Sequence, residues 1–388
     1  VEVADETLTA QPGMLVLARE SRGLTQTEVA RAMARISGER VSQAWVSKAE
    51  AGRTPLSGLR LAWYAAAVGY PPQVLCEDPQ VSGVGIGLVH HRKKAALGAT
   101  ALRRIHAELA LARRQVGGLL AEVGGPVRQR FVRIGVSALD TPMDAAQQVR
   151  ELWDVPSGPV EDMVALIERA GGLVLMRDLR TADLDAVSQW DGDQPPLVLA
   201  NAMASGDRLR FSLGHEIGHL IMHAQPAATA LQEREADQFA SELLMPASDI
   251  RDELGGRLDL DRLLALKQRW GVSMAALARR AQALAVISDW QYRNLMIEMS
   301  TLGYRTKEPG AIPNESPRTL HTLARLLVDQ YSAQEAAAAA GLLPDEFITL
   351  YLPEDSPVAD PTQPAGHSGV HAFDSSLAQL NFGTGRKA

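Results

Sequence analysis

The chain has 388 residues, 46% of them apolar and only 5% aromatic, with a formal net charge of −7. That length suits roughly two to three domains with real cores, and one cysteine, Cys76, excludes both a disulfide framework and a thiolate metal site within the chain. No apolar run of about 18 residues and no basic-then-apolar leader stands out, so the expectation is a cytoplasmic protein with no membrane partner.

Charge is unevenly spread. Residues 1–133 carry 18 Lys/Arg against 11 Asp/Glu, whereas the remainder carries 21 against 35. Only the N-terminal part therefore suits a polyanion.

In chain order, residues 1–11 form a short acidic tail and residues 12–76 a helical unit. Within that unit, MLVLARESRGLTQTEVARAM holds two helices separated at Arg22–Leu24. Thr25 and Glu28 form a capping box that opens the second. Ser42 caps a third helix, which stops at Gly52. Met14, Leu17, Ala18, Val29, Ala30, Val41, Val46 and Leu59 can share a small core. The pattern ARExRGLTQxEVA followed by VSQxxVSKxExG resembles the Cro and phage-repressor helix-turn-helix, the XRE family, over about residues 12–76. The segment MARISGER between the second and third helices is longer than usual there. This resemblance implies that the helix from Ser42 to Ala49 enters the major groove of double-stranded operator DNA. Gln43 is placed to pair with an adenine edge, and Gln26, Ser42, Ser47 and Lys48 for phosphate or base contacts. A half-site reader of this size implies a homodimer.

Residues 77–141 read as a basic helical linker that opens with a Gly/Val-rich joint, Ser82 to His91. Its stretch from Arg92 to Leu120 suits added phosphate contacts or a solvated arm that supports dimerisation. A new unit, residues 142–250, opens with two helices, the second stopped by Gly171. LVLMRDL and PPLVLAN read as short strands, and Leu197–Asn201 as an edge able to hold an extended substrate by strand addition. DLDAVSQW, Asp183 to Trp190, is placed at the substrate edge by order alone.

RFSLGHEIGHLIMH, Arg210 to His223, carries the densest chemistry. His215 and His219 lie one helical turn apart, the spacing for chelating one zinc ion, and Glu216 beside them is placed as a general base. On LQEREADQFASELLMP, Glu233, Ala236, Asp237, Ala240 and Leu244 share a face. Glu233 is then the third ligand, Asp237 the acceptor that sets a histidine tautomer, and Glu235, roughly opposite, the rival ligand. His223 lies off the His215 direction by helical drift and reads as a helix-end surface or capping residue. Gly218 suggests close approach of another backbone or a ligand. Trp45, Trp153, Trp190, Trp270 and Trp290 read as packing residues.

The wider match includes Asn201, Arg210–Phe211, the HExxH helix, Glu233 with Asp237, and Leu244–Met245–Pro246. Together they resemble the ImmA/IrrE family of gluzincin-like metallopeptidases over about residues 145–250, with Gly214 where Ala is usual. The resemblance implies zinc on His215, His219 and Glu233, with Glu216 as base. Two or three further helices are expected from Glu233 to about Met299, and a pair from Pro317 to about Leu352. They make residues 251–352 a helical C-terminal region like that of XRE–ImmA/IrrE fusions, as does LGYRTKEP at Leu302–Pro309. Residues 353–388 read as a disordered tail.

The expected fold class is mainly α with a small α+β domain. It comprises a lambda-repressor-like bundle, a minimal zincin-like centre with a short sheet, and a helical C-terminal part. The expected function is a DNA-binding transcription regulator with a zinc endopeptidase that cleaves a partner protein, such as a repressor, or itself. The alternatives are a non-enzymatic regulator sensing a metal, metabolite or partner, and an antitoxin-like component of a small operon.

Overall fold

A computed structural model describes residues 8–79, 89–90, 97–124, 129–137, 139–191, 194–224 and 229–353. The N-terminal tail through residue 7, most of the Gly/Val joint and the tail from residue 354 lie outside the described residues.

Five helices make the first unit: α1 (Pro12–Ser21), α2 (Gln26–Ser37), α3 (Gln43–Glu50), α4 (Gly58–Val68) and α5 (Pro72–Cys76). Local chemistry sets their starts. Thr25 and Glu28 form the reciprocal capping box of α2, and the Ser42 side chain accepts the Trp45 N–H at the start of α3. Met14, Ala18, Val29, Ala30 and Val46 are buried together. Leu59 is not among them: it is 53% exposed. Helix α4 turns Leu61, Ala62, Tyr64 and Ala65 inward, and a residue two positions before Leu61 points to the opposite side of a helix.

The basic linker contains β1 (Val89–His90) and a 25-residue helix, α6 (Ala99–Val123). This helix is a shaft rather than a solvated arm. It packs against α1 on one side and, on others, against α15 (Thr319–Gln330) and α16 (Ala333–Ala340). Three of its arginines, Arg104, Arg113 and Arg114, turn toward protein partners, while Arg103 stays exposed. Arg113 is 1% exposed and donates to the carbonyls of Pro195 (2.6 Å) and Gln189 (2.8 Å). Arg104 donates to Leu179 O, and Arg114 to the Glu77 carboxylate at 2.6 and 3.0 Å. At Gly118, any side chain would run into the Ala339 carbonyl oxygen, so glycine lets α16 approach. Helix α17 (Pro344–Tyr351), the last among the described residues, closes on the first unit through the Arg22–Glu346 ion pair, 2.5 and 2.8 Å.

The central part runs α7 (Pro142–Leu152), α8 (Met163–Arg169), β2 (Leu173–Arg177), β3 (Ala186–Gln189), β4 (Leu197–Asn201), α9 (Gly206–Met222) and α10 (Ala230–Leu244). The sheet order is β1-β3-β4-β2, with β2 parallel to β4, β3 antiparallel to β4 and β1 antiparallel to β3. Leu197–Asn201 is therefore an interior strand, hydrogen-bonded on both sides, and has no edge to offer a substrate; β3 is the strand that flanks the site. Strand alternation divides the faces. Leu173, Leu175, Val187, Leu197 and Leu199 join the core that contains α6 and the first unit. Val174, Ala186, Val198 and Ala200 join the core beneath α7–α10. Ser188 shares the face of Ala186 and so turns toward α9.

Five helices, not two or three, follow between Ala230 and Thr301: α10, then α11 (Ala247–Leu254), α12 (Leu260–Trp270), α13 (Met274–Ala283) and α14 (Asp289–Thr301). Pro246, the Asp259 cap and Gly271 in a left-handed conformation break what apolar periodicity alone joins. Likewise α15–α17 are three helices, not two, because Gly341 ends α16. The connection after α14 is pinned by charge. Glu308 accepts from Lys267 (2.9 Å) and from the first amides of α13, and Glu315 pairs with Arg210. Trp153, Trp190 and Trp270 are buried, whereas Trp290, on α14, is 68% exposed.

Candidate metal centre

Helix α9 positions the site because its apolar residues leave no choice of rotation. Leu209, Leu213, Ile217, Leu220 and Ile221 enter the core beneath the sheet. His215, Glu216 and His219 are then held at the helix surface under β3 and against α10, each 3% exposed or less. Two glycines let α10 come close: Gly214 faces Ala240, and a Cβ at Gly218 would lie 3.1 Å from the Phe239 ring. Thus Gly218 makes room for a side chain, neither a backbone nor a ligand. Across this contact α10 buries Ala236, Phe239, Ala240, Leu243 and Leu244, which points Glu233 and Asp237 at the histidines.

His215 Nε2 and His219 Nε2 lie 3.0 Å apart. The Glu233 carboxylate is 3.6 Å from His215 Nε2 and 3.4 Å from His219 Nε2. A zinc ion with ligand bonds of about 2.0–2.1 Å in tetrahedral geometry separates its donors by about 3.3 Å. The three observed separations bracket that value. The other face of His215 meets Asp237, Nδ1 to Oδ1 at 2.9 Å. Among the described residues, His215, His219 and Glu233 are the group of donors close enough to share one cation.

The electrostatics of the cluster suit a cation held between these groups. Burial alone would lower the His215 imidazole, but the bond to Asp237 and the nearness of Glu233 carry it up to about 9. Burial would raise Glu233, yet His215 and His219 hold it far below the usual carboxylate range. The two shifts describe one shared proton, and a cation at the centre would take its place. Burial lowers His219 and also His223, against the pull of their carboxylate partners.

Glu216 stands beside this cluster. Burial pushes its carboxyl up to about 8, against the opposing effects of His215 and Ser188. Ser188 Oγ donates to Glu216 Oε2 at 2.6 Å. Sequence reasoning missed this serine; the stretch Ala186–Gln189 shows no apolar/polar alternation to mark it as a strand. A cavity of about 330 Å³ opens against His215, Glu216 and Asp237. One wall is Asp183–Ala186, the stretch expected at the substrate edge, and Arg208 ties it down through Asp185 at 2.7 Å. Asn201 braces the same loop, donating to the carbonyls of Thr181 (2.7 Å) and Leu184 (2.9 Å). The opposite wall comes from α13 and α14, with Arg279, Tyr292 and Met296. No short motif marks those residues.

Residues 167–282 match the family model of the IrrE N-terminal-like domain, peptidase M78. No curated protein matches the chain. The IrrE-like region spans β2 through α13, so it includes both the cluster and the α13 side of the cavity. It leaves the N-terminal bundle and α14–α17 outside.

His223 and Glu235 depart from expectation. His223 is not a surface residue but 5% exposed. Its Nδ1 lies 2.9 Å from His219 Nδ1, and its Nε2 lies 3.0 Å from Glu235 Oε2. Glu235 therefore meets a histidine rather than the three-donor centre.

In the N-terminal bundle, Ser42, Gln43 and Lys48 are exposed while Gln26 and Ser47 are half-buried. Gln43 Nε2 donates to Gln26 Oε1 (2.7 Å), and Gln26 Nε2 to Glu50 Oε2 (2.9 Å). Buried Glu50 is gripped in turn by Arg19 at 2.7 Å and Tyr64 at 2.9 Å. The structure thus brings Gln26 and Gln43 together; Ser42 is occupied as a cap.

Proposed function

We propose that His215, His219 and Glu233 hold a zinc ion and that Glu216 is the general base of an endopeptidase. The observation that carries this reading is the convergence of three donors at tetrahedral spacing beside a buried carboxylate and an open cavity. When bound, zinc supplies the Lewis acidity that polarises a scissile carbonyl and acidifies water. Glu216 takes the proton and returns it to the leaving amine. Its elevated affinity for a proton suits both halves of that task near neutral pH. Ser188 restrains Oε2 and leaves Oε1 for the transfer. Asp237 orients His215 by accepting from Nδ1. The cavity takes an extended segment of a protein partner, such as a repressor, or of the chain itself.

In the same reading the N-terminal bundle binds operator DNA as a homodimer in the cytoplasm, making the protein a transcription regulator. The support is an exposed α3 N-terminus with Gln43 backed by Gln26 and Glu50, and exposed Arg31, Arg35, Arg40, Lys48 and Arg53 around it.

Wild type and Glu216→Gln, each with its zinc content measured, are incubated with the proteins encoded beside this one. Wild type is expected to cleave one of them, and the variant to do so about 10²–10⁴-fold more slowly. A zinc-loaded wild type that cuts nothing, with DNA present, sinks the enzyme reading.

One observation favours a second reading, a metal or partner sensor without catalysis. Helix α6 packs on α1 of the bundle and, through Arg113, bonds the carbonyl of Gln189, the neighbour of Ser188. Zinc removal that shifts DNA affinity while no cleavage occurs would select this reading.

A further inference from the structure

We infer that Glu235 and His223 form a positioning relay that sets the tautomer of His219, so that its Nε2 lone pair faces the three-donor centre. The inference rests on the zinc-site reading and extends it to two residues outside the HExxH helix and its third donor.

Hydrogen-bond polarity carries the argument. An ionised carboxylate only accepts, so at 3.0 Å from Glu235 Oε2 the His223 Nε2 must carry the proton. A neutral His223 then has a bare Nδ1, which can only accept. Its neighbour at 2.9 Å, His219 Nδ1, must therefore be the donor. With its proton on Nδ1, His219 keeps a lone pair on Nε2, the atom that faces His215 Nε2 and Glu233. Every donor in the chain points the same way, from the centre to Glu235. His215 has its own carboxylate behind it, with Nδ1 2.9 Å from Asp237 Oδ1. The two imidazoles thus have separate carboxylates behind them, one in direct contact and one relayed through a second imidazole.

The backbone makes the relay possible. His223 ends α9 with φ −109° and ψ 98°, an extended conformation, while its N–H still bonds His219 O. Its ring therefore folds back against His219, 5.0 Å between ring centroids, instead of following the helical spiral. Arg133 secures this corner by donating to the carbonyls of Leu220 (2.6 Å) and His223 (2.9 Å).

The test uses the full chain and two readouts. Zinc affinity is measured by chelator competition, and the tautomer of His219 by long-range nitrogen–proton spectra of metal-free protein labelled at its histidine rings. His223→Phe keeps the ring's shape and removes the acceptor. It is expected to lose about 10–100-fold in zinc affinity and to leave His219 as a mixture of tautomers. His223→Asn places an amide oxygen where Nδ1 stood. It is expected to retain the wild-type tautomer and most of the affinity, with a metal-free melting temperature like that of His223→Phe. Glu235→Leu leaves His223 in place and is expected to lose several-fold, so the relay stays testable if His223→Phe does not fold. Wild-type affinity in both His223→Phe and Glu235→Leu overturns the relay, as does a wild-type His219 protonated on Nε2. If wild type takes up no zinc but shows the Nδ1 proton, lost in His223→Phe, the zinc reading falls and the relay stands.

Discussion

The α9–α10 pair and the α2–α3 pair are both helix pairs with polar residues where they meet, yet they deploy those residues in opposite ways. At α9–α10 the polar atoms face one another inside the protein. His215, Glu216 and His219 are 3% exposed or less, and each has a bonded partner behind it. At α2–α3 the contact is a ladder under an open surface: Arg19 and Tyr64 hold Glu50, Glu50 holds Gln26, Gln26 holds Gln43, and Gln43 stands in solvent. Chemistry needs donors that are dehydrated and already oriented, because reorganising them would cost rate. Recognition needs them offered to a partner, with the support underneath. Helix α6 joins the two arrangements, touching α1 and the backbone of β3.

The largest expected effect separates the two regions. Zinc at about 1,000 times its dissociation constant should stabilise wild type by about 4 kcal/mol, seen as a higher melting temperature than with chelator. Glu233→Ala should show no such rise yet keep its DNA affinity. If it loses DNA binding as well, the regions are not independent. Next, Arg113→Met leaves the carbonyls of Pro195 and Gln189 without their donor, a cost of about 2–5 kcal/mol in denaturant unfolding. A loss confined to one of two unfolding transitions would show that α6 belongs to that region alone.

A third test is titration. Glu168, on α8, is buried and accepts from the amides of Arg318 and Thr319 at the start of α15. Burial outweighs those amides and lifts its carboxyl from 4.5 to about 7. The folded protein therefore holds this proton more tightly than the unfolded chain. The contribution is fully present below pH 4.5 and is lost as pH rises through 7, by up to about 3 kcal/mol. Melting temperatures from pH 4 to 8 should fall less steeply for Glu168→Gln; parallel curves would refute the shift. The smallest effect is local: if the proposed operator reading holds, Gln43→Ala should cost about 1–3 kcal/mol at one adenine position and little elsewhere. Unchanged selectivity would mean that α3 is not the reading helix.

Much of each region was legible because it rests on short-range rules. The caps at Thr25 and Ser42 are three-residue devices, and the His215/His219 and Glu233/Asp237 pairs follow from one helical turn. Expectation and structure part company where a local rule ends. The helical drift that set His223 aside holds only while the backbone stays helical, and His223 is the residue at which α9 becomes extended. Glu235 does lie away from Glu233 on the wheel, but a ring folded back past the end of α9 reaches it. Leu197–Asn201 reads as a strand, yet only pairing with both β3 and β2 reveals that it has no edge.

By itself, then, the amino-acid order determined which residues share a helical face, where the capped helices begin, and that two imidazoles stand one turn apart on one helix and two carboxylates one turn apart on the next. Tertiary structure alone decided that Ser188 restrains Glu216, that α13 and α14 wall the cavity, and that Arg104 and Arg113 of α6 point inward. The physical reason is range. Periodicity and capping act over about four residues. A buried hydrogen bond between residues 28 or 76 positions apart exists only after apolar packing has brought their elements together.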